Sequence, residues 1–567
     1  MKRIKTFIVI LGILLIYSNL FGQTEIEKKG LEAITEKGVL AQLEFLSSDW
    51  TEGRETASKG NDLAADYIAG MFKVYGLKPA GDFETIRTRR RSIFEFAPSR
   101  KKRTYFQNFQ LIEYKPGDNI CLKVHYKDGN IKRTVIFNYK TDFVINVSDY
   151  AEEYTAPVVF VGYGITDKEK NYDDFENIDV KGKLVLRISG YPGHLDTTSN
   201  AYKVFRPKDR MELYRLRRKK NESLMKSGAI GVLEINTTGD ISRSWVTNKP
   251  YRWKTPFYEG DTPPPTGYER RMKLVTDKFI PEPAVVQISN RIANILLKGS
   301  GINIEKFEKN VAENLTPASR ILVDKYVSIK TSVNSKVVST QNVLGYIEGE
   351  NPDEIIVIGG HYDHLGKHKG YIWNGSDDNA SGTVAVMEIA KAFMATGVKP
   401  KKSVVFATWS GEEKGLLGSK YFVDHPFKPL NNIVMNINFD MISRDSENDK
   451  EGNKVSATYT CHAVQLKEFL ETYNKVTGLD LSLRGSSKPS GGSDFAPFAA
   501  KNIPIIAFMA GFHPDYHQPT DEVNKANIKK MTKIIKLGFL NAWKVANLEG
   551  KLIWDKNAKE TGPRRPF

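Results

Sequence analysis

Cysteine is nearly absent from this chain, which has only Cys121 and Cys461 among its 567 residues. Two cysteines are too few for a disulfide framework or for a zinc site built from cysteine ligands. The sequence leaves open whether the two thiols pair with each other. The apolar run at the N-terminus, Phe7 to Tyr17, is shorter than the roughly 20 residues that a membrane-spanning helix needs. A stable membrane anchor is therefore not expected.

The N-terminal residues instead have the pattern of a signal peptide. Lys2, Arg3 and Lys5 precede the apolar run, which ends near the small residue Gly22. No cysteine lies near the expected cleavage point, so a bacterial lipid anchor is not expected either. We expect residues 1–22 to be removed and the product to be exported to the periplasm or the extracellular space.

The chain is basic, with a formal net charge of +16. Much of the excess lies in short clusters such as Arg100 to Arg103 and Arg215 to Lys220. A nucleic-acid-binding protein would be expected to interleave aromatic residues with such clusters or to contain a recognisable binding module, and the sequence has neither. We interpret the clusters as solvated loops and expect no nucleic-acid partner.

The spacing of apolar residues divides the chain into four regions. Residues 23–139 are expected to form the first part of the main domain, and residues 140–323 an inserted, β-rich domain. In residues 324–549, buried strands alternate with amphipathic helices, which predicts an α/β sheet covered by helices on both faces. Residues 550–567 are expected to form a basic tail.

Polar side chains follow the ends of successive strands in this third region. The residues concerned are His361, Asp378, the pair Glu412-Glu413, Asp440 and the pair Tyr516-His517. In open α/β sheets, ligands bind beyond the carboxyl ends of strands, where loops from several strands converge. We therefore expect these side chains to form one site.

Each of these residues has an ordinary explanation when it is taken alone. Asp378 could cap the helix that follows it, and Glu412-Glu413 could complement the dipole of a helix start. Taken together, imidazole and carboxylate ligands without thiolate suit a catalytic zinc site. Two ions that share a carboxylate suit hydrolysis of an amide.

Two further histidines have the four-residue spacing of a helical metal pair. His364 lies four residues before His368, and His513 lies four before His517. Gly366 and Pro514 oppose a helix in these two places. We interpret the spacing as accidental.

These motifs, in this order, resemble those of metallopeptidase family 28, the co-catalytic zinc aminopeptidases. The resemblance covers about residues 38–81 and 327–548. It implies a three-layer α/β/α domain with a mixed central sheet. Residues 158–186 and 227–231 resemble the protease-associated domain that is often inserted in this family.

The resemblance also implies two zinc ions per chain. It implies five ligands, namely His361, Asp378, Glu413, Asp440 and His517. His361 and Asp440 would hold one ion, Glu413 and His517 the other, and Asp378 both.

Three more residues acquire catalytic roles from the resemblance. Glu412 would be the general base, Asp363 would orient His361, and Tyr516 would donate a hydrogen bond to the developing oxyanion. Family members usually have histidine where this chain has Phe495, so a substrate contact for that loop does not carry over.

The expected activity is removal of N-terminal residues from peptide substrates. A carboxypeptidase or dipeptidase of the same family is an alternative, because metal ligands do not decide which end of a peptide is bound, and Arg444 is a candidate for binding a substrate carboxylate. A glutaminyl cyclase with a single zinc and a catalytically silent receptor or adhesion relative are further alternatives. The oligomeric state is not indicated by the sequence.

Overall fold

The structure is a computed structural model that describes most of the chain. The described residues are 24–87, 99–145, 151–207, 210–235, 253–255, 258–260, 270–277, 284–368 and 370–562. The expected signal peptide therefore lies outside the described residues. The chain forms two compact units, of which the first comprises Met1–Ile112, Pro265–Val275 and Val337–Phe567, and the second Glu113–Pro264 and Thr276–Lys336.

Helices and strands alternate along much of the described chain. The α-helices are α1 Glu25–Ala33, α2 Glu36–Leu46, α3 Lys59–Tyr75, α4 Asn200–Phe205, α5 Arg210–Lys226, α6 Asn290–Leu297, α7 Ile304–Asn314, α8 Gly382–Ala395, α9 Leu417–Asp424, α10 Gln465–Thr477, α11 Phe495–Ala500 and α12 Ile528–Ala546. The strands are β1 Lys78–Pro79, β2 Phe83–Arg87, β3 Ser99–Arg103, β4 Phe106–Pro116, β5 Cys121–Asp128, β6 Ile131–Asn138, β7 Phe143–Ile145, β8 Glu153–Phe160, β9 Thr166–Asp167, β10 Tyr172–Asp173, β11 Leu184–Ile188, β12 Gly231–Ile235, β13 Trp253–Thr255, β14 Tyr258–Gly260, β15 Arg271–Leu274, β16 Ala284–Ile288, β17 Arg320–Lys330, β18 Val333–Ile347, β19 Asn351–His361, β20 Gly366–His368, β21 Tyr371–Trp373, β22 Lys402–Trp409, β23 Ile433–Phe439, β24 Lys454–Thr460, β25 Asp480–Ser486 and β26 Ile505–Met509.

The first unit is built on a mixed sheet with the strand order β15-β4-β18-β22-β19-β23-β26-β24-β25. Its centre is parallel, because β19 pairs in parallel with β22 and β23, and β23 pairs in parallel with β26. The flanking strands β18 and β24 are antiparallel to this centre. The carboxyl ends of β19, β22, β23 and β26 consequently meet at one edge of the sheet.

Both faces of this sheet are covered. In β19, Ile356 and Ile358 pack into a core with α1, α2, α3, α8, α10 and α12, whereas Ile355 and Val357 pack into a second core with α9 and α11. This burial on both sides explains why the central strands are apolar at nearly every position. The predicted three-layer α/β/α arrangement with a mixed central sheet is confirmed for this unit.

Helix α8 is the most deeply buried helix of the metal-bearing region. Val384, Val386 and Ile389 of this helix have no exposed surface. Its first residue is glycine because a Cβ added at Gly382 would lie 2.3 Å from the main-chain oxygen of Phe439. The start of α8 therefore packs directly against the end of β23.

The second unit contains an eight-stranded sheet with the order β6-β5-β17-β8-β11-β12-β16-β7. Its described residues also include four helices, α4 to α7, so it is less purely β than the sequence pattern predicts. The expected boundary between residues 139 and 140 differs from the observed one, because β5 and β6 pair with the sheet of this unit. The expected boundary at 323 and 324 also differs, because β17 continues to Lys330 in the same sheet. Cys121 and Cys461 are both free thiols.

The C-terminal residues cover the outer edge of the main sheet. Thr561 exchanges two main-chain hydrogen bonds with Gly485 on the edge strand β25, at 3.0 and 3.1 Å. Trp554 forms a bridge with Ala463. The expected basic tail is thus ordered as far as residue 562. Among the described residues, no helix has the length and apolar character needed to cross a membrane.

Removal of this tail tests its role at the sheet edge. A chain that ends at Gly550 leaves the main-chain groups of Gly485 on β25 unpaired, and unpaired edge groups promote association between molecules. We expect a lower melting temperature and concentration-dependent self-association, measured by calorimetry and light scattering. A chain that ends at Gly562 keeps the Thr561 pairing and is the control. Identical behaviour of the two truncated chains would contradict this role.

Candidate metal centre

The predicted site residues come together at the edge where the parallel strands end. His361 is the last residue of β19, and Asp440 follows β23 directly. Glu412 and Glu413 lie in the turn after β22, and His517 lies in a turn after β26. The parallel register of these strands brings the four segments to the same place, as the sequence pattern predicts.

Asp378 occupies the centre of the site. Its Oδ1 lies 3.5 Å from His361 Nε2, and its Oδ2 lies 3.0 Å from His517 Nε2. His361 Nε2 is also 3.6 Å from Asp440 Oδ1, and His517 Nε2 is 3.4 Å from Glu413 Oε2. One carboxylate therefore faces two separate donor groups, which is the arrangement expected of a bridging ligand.

Asn379 fixes the loop that carries Asp378. Its amide nitrogen donates to the main-chain oxygen of Phe439 at 3.0 Å, and its amide oxygen accepts from the main-chain nitrogens of Gly382 and Met441. These bonds connect the start of α8 to the end of β23. They explain why Asp378 and Asp440 face the same histidine.

Glu412 and Glu413 are chemically identical neighbours in different surroundings. Burial raises the pKa of Glu412 well above its usual range, and the nearby Glu413, Asp494 and Asp440 carboxyl groups add to this effect. Burial alone would also raise the pKa of Glu413, but His517 and His364 lower it well below its usual range. Glu413 is thus the anionic member of the pair and Glu412 the one that readily holds a proton.

Asp363 contacts Glu412 as well as His361. Its carboxylate accepts hydrogen bonds from the hydroxyl of Thr56 at 2.8 Å and from the main-chain nitrogen of Glu412 at 3.1 Å. His361 Nδ1 lies 3.1 Å from the main-chain oxygen of Asp363 but 3.8 Å from its carboxylate. The carbonyl of Asp363 therefore makes the hydrogen-bond contact with His361, and the carboxylate positions Glu412.

Tyr516 lies beside the ligands. Its ring stacks on that of His517 with 3.8 Å between centroids. It lines a cavity of about 170 Å³ whose wall also includes His361, Asp378, Glu412 and Asp440. Phe495, the first residue of α11, does not line this cavity and is instead buried in the core that contains Ile355 and Val357.

His364 contacts the site, although no pattern in the sequence indicates this. This buried residue lies beside the site, with Nδ1 2.8 Å from Glu413 Oε1, while its Nε2 has no hydrogen-bond partner among the described residues. His368, its presumed partner in a helical pair, lies in the short strand β20. His513 contacts Asp377 at 3.1 Å. The four-residue spacing is thus accidental, as expected, but His364 nevertheless lies at the site.

Arg54 is completely buried beneath the site. Its guanidinium donates to the main-chain oxygens of four residues, namely Leu46, Tyr362, Asn374 and Gly375. Burial lowers the pKa of Arg54 to about 10, and the Asp363, Asp378, Asp521 and Glu413 carboxylates oppose that shift. Arg54 is therefore charged at neutral pH and connects the loops that carry His361 and Asp378.

A second buried group supports the Asp378 loop from the other side. Asp521 accepts hydrogen bonds from the main-chain nitrogens of Asp377 and Asp378 at 3.0 and 3.1 Å. Arg444 pairs with Asp515 at 2.5 Å and with Asp521 at 3.4 Å. Arg444 is thus bound to carboxylates of the chain itself and does not line the described cavity.

The donor set fits divalent cations of the zinc type. Two groups have ligand atoms within 4.8 Å of one another, one of His361, Glu412 and Asp440 and the other of His364, Asp378 and Glu413. Burial would lower the pKa of His517, but Glu413 and Asp378 raise it to about 10. The carboxylates thus create a strongly negative pocket that favours a cation. Imidazole and carboxylate donors are those of catalytic zinc sites.

Replacement of Arg54 by methionine tests whether this guanidinium holds the loops together. The variant leaves four main-chain oxygens unpaired and removes a buried charge, a change that costs about 3 to 5 kcal/mol of unfolding free energy. Denaturant unfolding of the metal-free protein measures it. Lys367→Met, which breaks the exposed ion pair with Glu52, is the control and should cost less than about 1 kcal/mol. Equal losses in the two variants would contradict the role of Arg54.

Part of this chain is similar to known peptidases. Residues 342–539 match the model of peptidase family M28. The leucine aminopeptidase 2 of Trichophyton equinum is 29% identical over 201 residues, which are 34% of this chain and 39% of the relative. The glutamate carboxypeptidase 2 homolog of Caenorhabditis elegans is 25% identical over 408 residues, which are 62% of this chain and 48% of the relative. The chain thus spans less than half of the length of these curated relatives.

The fold is shared with a solved aminopeptidase from Aneurinibacillus sp. strain AM-1. The two chains superpose with a TM-score of 0.54 at 18% sequence identity, over 95% of this chain and 100% of the other. The segment matched by the family model contains all five residues expected to bind metal, together with Glu412 and Tyr516. The similarity of this chain to peptidase family M28 therefore lies in residues 342–539, the segment that contains the candidate metal site.

Proposed function

We propose that the protein is a zinc-dependent exopeptidase of the aminopeptidase type. The observation that carries the proposal is the position of Asp378, whose two carboxylate oxygens face His361 and His517 in a small cavity beside Glu412. A shared carboxylate between two imidazole-containing donor groups suits a pair of ions that act on one amide bond.

His361 and Asp440 would hold one zinc ion, Glu413 and His517 the second, and Asp378 both. Zinc bound in this way supplies Lewis-acid polarisation of the scissile carbonyl and activation of water. The two three-residue groups described above differ from this assignment in one member each. The first contains Glu412 in place of Asp378, and the second contains His364 in place of His517. We favour His517 over His364 because its Nε2 lies 3.0 Å from the bridging Asp378, whereas His364 Nδ1 lies 3.9 Å from it. We reserve Glu412 for proton transfer.

Glu412 would take a proton from the attacking water and pass it to the leaving amine. The main-chain nitrogen of Glu412 donates a hydrogen bond to the carboxylate of Asp363, which holds Glu412 beside His361. Glu412 Oε2 lies 3.8 Å from His361 Nε2. Burial and neighbouring carboxyl groups, which raise its pKa, suit a group that must hold a proton between the two steps.

Tyr516 would donate a hydrogen bond to the oxygen that becomes negative in the transition state. The remaining wall of the cavity includes the apolar side chains of Met441, Met509 and Phe512. A wall of this kind suits an apolar side chain on the residue to be released.

Two further features belong to the proposal. The second unit would be a protease-associated domain, a reading supported by the β-strands at residues 153–160 and 184–188, which overlap the resembling segment 158–186. Residues 1–22 would direct export to the periplasm or the extracellular space.

Purified protein assayed on a substrate panel tests the direction of cleavage. We expect hydrolysis of amino-acid anilides and of C-terminally amidated peptides, no hydrolysis of N-blocked peptides, loss of activity on chelation and recovery with zinc. The similarity to a glutamate carboxypeptidase homolog makes the opposite outcome informative. Cleavage of N-blocked peptides with a free C-terminus would indicate a carboxypeptidase, and cyclisation of N-terminal glutamine a cyclase.

Separate replacement of the two glutamates tests their roles. Glu412→Gln keeps its size but cannot accept a proton, so turnover should fall by about 10²- to 10⁴-fold with zinc content unchanged. Glu413→Gln weakens a metal ligand, so it should lose zinc and thermal stability as well as activity. Each variant is the control for the other. If Glu412→Gln loses zinc and Glu413→Gln retains it, the roles are reversed.

A further inference from the structure

A second, larger cavity adjoins the metal-site cavity in the first unit. Its volume is about 720 Å³, and its wall includes Met509 and Phe512, which also line the cavity of about 170 Å³ at the metal site. The smaller space lies below the roughly 300 to 1,000 Å³ typical of pockets that enclose a complete ligand, whereas the larger one lies within that range. The metal-site cavity therefore accommodates only part of a substrate.

The floor of the larger cavity is formed by two paired strands. Alternate residues of β24 and β25 lie side by side in register, with Lys454 beside Asp480, Ser456 beside Ser482 and Thr458 beside Arg484. We call this surface the polar groove. The intervening residue Ala457 belongs to the core on the other face of the sheet, because successive side chains in a strand point to opposite faces.

The groove and the metal site are joined through β26. Ser456 lies opposite Met509 in the antiparallel pairing of β24 with β26, and its hydroxyl donates to the main-chain oxygen of Met509 at 2.9 Å. Lys454 and Asp480, at the same end of the groove, are exposed. A chain that leaves the metal-site cavity past Met509 and Phe512 would thus enter a surface of hydroxyl groups and charges of both signs.

We propose that the polar groove binds the part of a peptide substrate that follows the released residue. The inference rests on the proposed exopeptidase function. It assigns the substrate class as peptides of three or more residues whose first residue is apolar and whose following residues are hydrophilic, rather than dipeptides. The apolar wall of the metal-site cavity suits the first side chain, and the hydroxyl-lined groove suits main-chain amides and polar side chains.

Ser482→Trp tests the groove without altering the proposed catalytic residues. Ser482 is exposed in the middle of β25, so an indole there fills the groove but not the core. For a leucyl-seryl tetrapeptide, kcat/KM should fall about tenfold or more through KM, because contacts beyond the first residue are lost. For leucine anilide, which has no further residues, it should stay within about twofold. Ser335→Trp, at an exposed strand position outside the groove, is the matched control.

Equilibrium binding of the same tetrapeptide to Glu412→Gln protein, with and without Ser482→Trp, separates this inference from the proposed function. A loss of binding of about tenfold on adding Ser482→Trp supports the groove, even if the wild-type protein hydrolyses no peptide and the proposed function fails. If peptides are hydrolysed but Ser482→Trp affects neither binding nor KM, the groove inference is overturned. Equal losses for the anilide and the tetrapeptide also overturn it, since the groove would then hold the first residue.

Discussion

The buried negative charge at one edge of the central sheet is the constraint on which the rest of the site depends. Five carboxyl groups lie there together, those of Asp363, Asp378, Glu412, Glu413 and Asp440. Anions removed from water without cationic partners cost several kcal/mol each. The chain supplies the histidines of the site and the guanidinium of Arg54, and bound zinc would supply the remaining positive charge. The folded protein therefore favours the binding of cations at this site.

The same constraint explains why a segment from the start of the chain lies beneath the metal-bearing loops. Arg54 donates to main-chain oxygens in the loops that carry His361 and Asp378, and Thr56 donates to the carboxylate of Asp363. Asp521 holds the main chain of the Asp378 loop from the opposite side. These groups do not line the described cavity, yet they set the geometry of those that do. Support from partners behind the ligands is a general requirement of metal sites.

Much of this arrangement could be predicted because local sequence determines it. The strand Ile433–Phe439 is a short apolar run buried on both faces, a pattern that has few alternatives, and Asp440 follows it as expected. Contacts between distant segments were not predictable in this way. Arg54 precedes Tyr362 by 308 residues, and no local pattern indicates their hydrogen bond. The sequence does not clearly indicate the strands β24 and β25, because one face of each is polar. The unit boundary was misplaced because pairing of β5 with β17 depends on residues about 200 positions apart.

The central claim is that Asp378 bridges two ions held by separate donor groups. Anomalous X-ray diffraction at the zinc absorption edge, on crystals of the zinc-loaded protein, tests it most directly. The account predicts two peaks on opposite sides of the Asp378 carboxylate, one bound by His361 and Asp440 and the other by Glu413 and His517. A single peak, or a second ion bound by His364 in place of His517, would contradict it.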